Sequence, residues 1–277
     1  MRFFDNLKSI MLRIGYRIES CNIDYAETNY INPFIIKYIT NYNYNKIVYI
    51  PVCYIRDLYW FKMNRSHPFV DTLFNFKNSG YEIAKETLNT YYKINQPSNA
   101  LEYCGLEEQE APGLINLEPI KGLKMPWKNG NIKDTGYKGI LNAEHNEAKR
   151  DGYSNALGSK YFGPVNEIKL NYELNRLINT YNSILDEGYL RSNTVDGDIT
   201  GSFLIKNANK WVFLVNQGHH RIAALTSLGY NSVPVRITGN CSEFIRLDEY
   251  IYWPQVINKV YNKDGAKKIF NKILQPV

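Results

Sequence analysis

Trp211-Val-Phe-Leu-Val215, then Asn216, then Gln217-Gly-His-His-Arg221, then Ile222-Ala-Ala-Leu-Thr-Ser-Leu228 and Gly229 spell a strand, a turn and a helix in direct succession. The first run, rich in β-branched and aromatic residues, reads as a buried strand. The last is a short apolar run with glycine to stop it, which reads as a helix. The turn between them carries the chemistry. A glycine there lets the backbone approach a ligand, and the first amides of a helix are unpaired donors, so the turn favours an anion. Arg221 can grip a phosphate through two parallel hydrogen bonds, and a histidine can donate or shuttle a proton. Two of the chain's four histidines are His219 and His220. The alternative is a structural turn, with His219 capping the helix, His220 packed on the sheet and Arg221 in a surface ion pair. Three polar side chains at a glycine turn are an inefficient way to build a core, which weighs against it.

Working outward, Leu174, Leu177, Ile178, Tyr181, Ile184 and Leu185 recur at helical spacing, and Gly188 ends that pattern. Phe203 to Lys206 and Trp211 to Val215 flank the polar Asn207-Ala-Asn-Lys210 and predict a hairpin with a four-residue turn. Val233-Pro-Val-Arg-Ile237 predicts a further strand. Upstream, Asn41 to Asn45 reads as a loop before a strand over Lys46–Ile55, whose Pro51 belongs at an edge or bulge. His67-Pro68-Phe69 introduces a short helix, and Gly80 to Ile94 is an amphipathic helix with Ile83, Thr87, Tyr91 and Ile94 near helical spacing. From Gln96 to Lys138 the text is rich in Pro, Gly, Asn and Lys without sustained periodicity. The expectation is an α/β (α+β) chain in three parts: an N-terminal α/β region over 1–110, a linker or lid over 111–139, and a mixed-sheet domain with a helical tail over 140–277.

The bulk numbers restrict the function classes. The chain has 277 residues, 44% hydrophobic and 22% charged, which is ordinary globular composition. A net charge of +6 fits an anionic ligand, but it is spread along the chain rather than gathered into a nucleic-acid stripe. Cys21, Cys53, Cys104 and Cys241 lie far apart with no CxxC pair, so they predict neither a zinc site nor a disulfide framework, and are expected to be reduced and mostly packed. No long apolar run follows Met1-Arg-Phe-Phe-Asp5, so neither a signal peptide nor a membrane-spanning helix is predicted and the cytoplasm is the default. The 23 tyrosines would suit sugar-binding or stacking surfaces, although the same bias follows from an AT-rich coding sequence.

The order of a helix with Ser183-Ile184 and Gly188, a hairpin, Gly218-His219-His220-Arg221, Ala223-Ala224, Leu228-Gly229 and Val233-Pro234-Val235 resembles the ParB/sulfiredoxin superfamily over about 65 residues. The resemblance implies a mixed-sheet domain whose glycine turn binds nucleotide phosphates. In the free-serine kinases of that superfamily the turn reads Asp-Gly-His-Thr-Arg, which is similar to the turn here. Two departures matter. His219 stands where sulfiredoxin has its cysteine, so repair of sulfinic acid is not expected. Gln217 stands where the kinases have an acid, which weakens phosphotransfer. Tyr252-Trp253-Pro254 and the short helix near Gly265 to Ile273 resemble the tail of ParB-like proteins of surface-polysaccharide gene sets, implying a sugar, glycan or small hydroxylated metabolite as acceptor.

The resulting expectation is a nucleotide-dependent phosphotransferase using ATP or ADP, with CTP as a further option, together with Mg²⁺. Gln217, Gly218, His219, His220 and Arg221 hold the nucleotide, with Ser159 and Lys160 from the Gly/Ser/Lys-rich stretch Ser154–Val165. His219, His220 and Glu167 are the catalytic candidates. A kinase also needs a base for the acceptor hydroxyl and oxygen ligands for magnesium. Glu173 or the Asp196-Gly197-Asp198 turn are further sources of a carboxylate, and the metal ligands stay open. The other reading is a ParB-type nucleotide-gated switch, which Gln217 favours. DNA binding is not expected, because only about forty residues follow Ile237 and no basic recognition helix is visible there. Oligomeric state stays open, and His67 and Trp127 are read as packed or surface residues.

Overall fold

The structure is a computed structural model that describes residues 27–28, 31–39, 46–132, 136–191, 197–237 and 243–275. Cys21, the Asn41 to Asn45 loop, Asp196 and Cys241 lie outside the described residues. The strands are β1 (Glu27–Thr28), β2 (Lys46–Pro51), β3 (Ile55–Asp57), β4 (Phe61–Lys62), β5 (Ile199–Asn207), β6 (Lys210–Gln217), β7 (Ser232–Ile237) and β8 (Phe244–Arg246). The α-helices are α1 (Pro33–Ile39), α2 (Pro68–Ser79), α3 (Tyr81–Ile94), α4 (Ala100–Cys104), α5 (Gly136–Arg150), α6 (Glu167–Glu187), α7 (His219–Ser227), α8 (Pro254–Ile257) and α9 (Lys263–Leu274).

All these strands join one mixed sheet in the order β1-β2-β7-β5-β6-β3-β4, with β8 alongside β5, so the chain has the expected α/β character. The expected single strand over Lys46–Ile55 is two strands divided at Pro51 by a 3₁₀ turn over Val52–Tyr54. β2 runs antiparallel to β7, and β3 runs parallel to β6, four strand positions further along. In a flat sheet that separation would be about 19 Å. The four residue steps from Pro51 to Ile55 reach at most about 14 Å, and less through a 3₁₀ turn. The sheet must therefore curl to bring β2 and β3 together. Because β2 and β3 also run in the same sense, the chain continues around the curl without reversing. Residues before and after the 111–139 segment thus share one sheet, and the N-terminal strands are built into it.

Strand alternation places side chains into two cores. On β5 and β6, Phe203, Ile205, Trp211, Phe213 and Val215 face a core shared with α2, α3, α6 and α7, while Leu204, Val212 and Leu214 face a second core. A strand covered on both faces is near-continuously apolar, as these are. The second core is closed by α4, α9 and the segment expected to be a linker or lid. Ala111, Leu114, Ile120, Leu123 and Met125 from that segment are buried, so its described part is a packed wall. It lacks periodicity because it is built of 3₁₀ turns at Pro112 and Pro119 rather than a regular helix. Trp127 packs there against Trp253 and Phe270.

Two local expectations are corrected. The β5–β6 hairpin is tighter than a four-residue turn, since Asn207 and Lys210 pair and the Asn207 side chain accepts from the Asn209 amide. Helix α3 buries Ala84, Leu88 and Tyr92, whereas Ile83 and Ile94 are exposed. Both stripes have helical spacing, and the small Ala84 permits the closer approach to the core. Cys104 is buried, its thiol pushed up to about 12 by desolvation, and Cys53 is exposed.

Candidate functional site

Gly218 begins α7 with φ +96°, in the left-handed region that favours glycine. A Cβ there would stand 2.9 Å from Ile199 Cγ1, so β5 packs against the turn. His219, His220 and Arg221 form the first helical turn, whose amides have no intrahelical partner by construction. The turn opens on a cleft of about 1570 Å³. Pockets for one small ligand occupy roughly 300–1,000 Å³, so this one exceeds the size needed for a single small ligand. Lys128, Arg150, Lys160, Arg176 and Arg221 line it, against the carboxylates of Glu144 and Glu147. Five cations against two carboxylates make the wall suited to an anion.

The two histidines are held differently, and neither is a spare phosphate donor. His219 Nδ1 lies 2.5 Å from Asp57 Oδ1, with 6% of the His219 side chain exposed and none of Asp57. Asp57 Oδ2 lies 3.1 Å from His67 Nε2, and the Leu58 amide donates to Asp57 Oδ1 at 2.8 Å. Burial works to raise the Asp57 pKa, but His219 and His67 outweigh it and hold the carboxyl far below the usual carboxylate range. His220 Nε2 meets Glu173 Oε2 at 2.8 Å, and its ring stacks on Phe69. Burial lowers the His220 pKa below its ordinary value, against the raising effect of Glu173.

Glu173 also pairs with Lys169 Nζ at 2.7 Å, and Lys169 reaches Glu144 Oε2 at 3.0 Å. Lys169 is 1% exposed and Glu173 2%, so this is a buried ion network beneath the cleft. Desolvation opposes the Glu173 charge, yet Lys169 and His220 hold its pKa well below the ordinary value. Glu173 is therefore committed to ion pairing and is not a base in waiting. Glu144 differs. Its Oε2 accepts from Lys169 and from the Lys160 amide, while its Oε1 is buried without a hydrogen-bond partner and the residue lines the cleft.

The sequence-predicted residues divide. Gln217, Gly218, His219, His220, Arg221 and Lys160 all line the cleft. Arg221 donates to the Gly197 carbonyl. Gln217 accepts from Thr200 Oγ1 at 3.3 Å. Ser159 is buried and its Oγ accepts from the Tyr161 amide, so it shapes the loop instead of facing the cleft. Glu167 does not join the site. It is the first residue of α6, bonded on the surface to Lys85 and Asn171, because a carboxylate at a helix start favours the positive end of the dipole. Asp198 is buried with Arg236 Nε at 3.5 Å, and burial raises its pKa. His67, read as a packed residue, is packed but belongs to the site's hydrogen-bond chain.

Asp57, Glu144 and Tyr161 were not found from sequence. One signal existed for Asp57. It ends β3, and β6, parallel to β3, ends at Gln217, so the carboxyl ends of two parallel neighbours converge on one place. Ligands in open α/β sheets gather at such ends. No family model, curated protein or solved structure matches the chain.

Proposed function

We propose that the chain binds a nucleotide by its phosphates at the Gly218–Arg221 turn and transfers a phosphoryl group to a small hydroxylated acceptor. The reading agrees with the ParB/sulfiredoxin resemblance of the turn. The observation that carries it is the left-handed Gly218 opening the α7 amides onto a cation-lined cleft. The α7 amides, Arg221 and Lys160 are the phosphate donors, and the remaining volume of the cleft accommodates the acceptor, a sugar, glycan or hydroxylated metabolite. Among the described residues no group of three or more His, Cys, Asp or Glu side chains is arranged to hold a metal alone. Magnesium in such sites is held by one or two carboxylates plus the phosphates themselves. Glu144, with an unpartnered Oε1, fits that requirement and would supply the protein oxygen. When bound, magnesium neutralises charge on the phosphates.

Gln217 favours a second reading. An amide that bonds Thr200, where the kinases carry an acid, suits a switch that binds nucleotide and hydrolyses it slowly.

Calorimetric titration of wild type, Arg221→Ala and Lys160→Ala with ATP, ADP and CTP, each with Mg²⁺, tests the site. Each lost charged hydrogen bond is worth about 1.5–3 kcal/mol, so affinity should fall about 10- to 100-fold in each variant. Folded wild type that binds none of the three nucleotides would refute both readings. Among the described residues no helix is long and apolar enough to cross a membrane.

A further inference from the structure

We infer that His219 is the proton acceptor of the cleft, and that Asp57 and His67 are positioning residues that fix its tautomer. His67 Nδ1 accepts from the Phe69 amide at 3.1 Å, so the His67 proton resides on Nε2, which donates to Asp57 Oδ2. The second Asp57 oxygen already accepts from the Leu58 amide and lies against His219 Nδ1. An ionised carboxylate only accepts, so His219 carries a proton on Nδ1, and the neutral ring then has its lone pair on Nε2. That nitrogen faces Tyr161 Oη at 3.5 Å, and His219 and Tyr161 both line the cleft. Tyr161 is set in place by Tyr91, whose hydroxyl donates to the Tyr161 carbonyl at 2.6 Å.

A second observation is independent of those bonds. Leu58 and Tyr59, directly after Asp57, have φ of 44° and 66°, in the left-handed region that non-glycine residues seldom occupy. The turn that holds Asp57 under His219 is strained twice in succession. Such strain persists where surrounding structure over-determines it, and it clusters at functional sites.

The reaction role rests on the phosphotransfer reading. A hydroxyl of the acceptor, or water in its place, gives its proton to His219 Nε2. Its oxygen forms the bond to the γ-phosphorus while the bond to the nucleoside diphosphate breaks. The imidazolium so formed is stabilised by the Asp57 carboxylate and later returns the proton to solvent. The nucleoside triphosphate and hydroxyl compound thus yield nucleoside diphosphate, phosphate ester and one proton. His219 acts as a base, and the phosphates are left to the amides, Arg221 and Lys160.

The test compares the full-length wild type with Asp57→Asn, using ATP and Mg²⁺, by calorimetry and by phosphate release with water as acceptor. In parallel, ¹⁵N-histidine NMR of wild type reads the four imidazoles directly. Expected are a pyridine-type Nε2 on His219 and a pyridine-type Nδ1 on His67. In Asp57→Asn, ATP affinity should be nearly unchanged while kcat falls on the order of 10²–10⁴-fold, as when a positioning carboxylate loses control of a histidine tautomer. Turnover in Asp57→Asn within about threefold of wild type would overturn the assignment, as would His219 carrying its proton on Nε2. Wild type that binds ATP but releases no phosphate would remove the proton-acceptor role and leave nucleotide binding alone. Folded wild type that binds none of ATP, ADP and CTP would refute the phosphotransfer reading and, with it, the role of His219. If Asp57→Asn does not fold, the wild-type NMR spectrum still decides the tautomer, and His67→Gln repeats the kinetic comparison.

Discussion

Replacing Lys169 by methionine tests the buried ion network beneath the cleft most severely. Lys169 Nζ lies 2.7 Å from Glu173 and 3.0 Å from Glu144. At an effective dielectric of about 20, each carboxylate attracts that charge by roughly 6 kcal/mol, and desolvation of the three ions offsets most of the sum. Methionine fills similar space but leaves two carboxylates without their cation. Removing one partner of a buried pair costs about 3–5 kcal/mol. With a urea m-value of about 3 kcal/mol/M, the midpoint followed by tryptophan fluorescence should fall by about 1–1.7 M near neutral pH. The loss should also depend on pH. In the wild type Glu173 is held well below its ordinary 4.5, so its contribution is complete above that value and fades as pH falls through the acid range. In Lys169→Met burial dominates and raises the Glu173 pKa, so the variant gains by protonation where the wild type loses. The difference between them should therefore narrow as pH is lowered from about 7 towards about 4. A midpoint shift under about 0.3 M with unchanged m, or a loss indifferent to pH, would refute the claim that these groups are ionised and paired.

Two further outcomes are expected. Leu88→Ala should cost about 2–5 kcal/mol by denaturant unfolding, whereas Ile94→Ala on the exposed stripe of α3 should stay within about 0.5 kcal/mol; equal effects would mean the helix is rotated. Gly218→Ala combines a left-handed backbone with a Cβ 2.9 Å from Ile199, so thermal unfolding should show a loss of about 2–4 kcal/mol, and an unchanged midpoint would place Gly218 in an ordinary conformation.

The strand–turn–helix around Gly218 was legible because local signals agreed there: a β-rich run, a glycine that must take a positive φ, and a helix stop at Gly229. α6 and β7 were legible for similar reasons. The wall over residues 111–125 was not, because it is apolar without a period and its proline-started 3₁₀ turns resemble loop text. The buried stripe of α3 was ambiguous because Ile83 and Ile94 sit at helical spacing as correctly as Ala84 and Leu88 do. Which stripe meets the core depends on how closely the backbone can approach, and that is a property of the neighbours. Asp57 was missed, and the site role of the packed His67 with it, for a related reason. Each is an ordinary polar residue beside a turn; the fold of the sheet gives Asp57 its partner 162 residues away at His219, and His67 joins the pair through Asp57.

That curl links the fold to the chemistry. Pro51 ends β2 and the 3₁₀ turn swings the chain round to β3, which sets Asp57 at the carboxyl end of a strand parallel to β6. The same geometry brings Gln217 and the glycine turn to that end, so a carboxylate from one part of the chain arrives under a histidine from another. Were the two parts separate bodies, the pair would have to be assembled against the entropy of docking them for each encounter. Within one sheet the cost is met once, on folding, together with the strain at Leu58 and Tyr59. The arrangement also explains why so polar a floor is tolerated. Asp57 accepts from a backbone amide and lies between two histidines, and Glu173 is shared by Lys169 and His220, so each buried charge has compensating partners. Glu144, a residue of this network that lines the cleft, keeps one buried carboxylate oxygen without a hydrogen-bond partner, which a cation accompanying phosphates would complete.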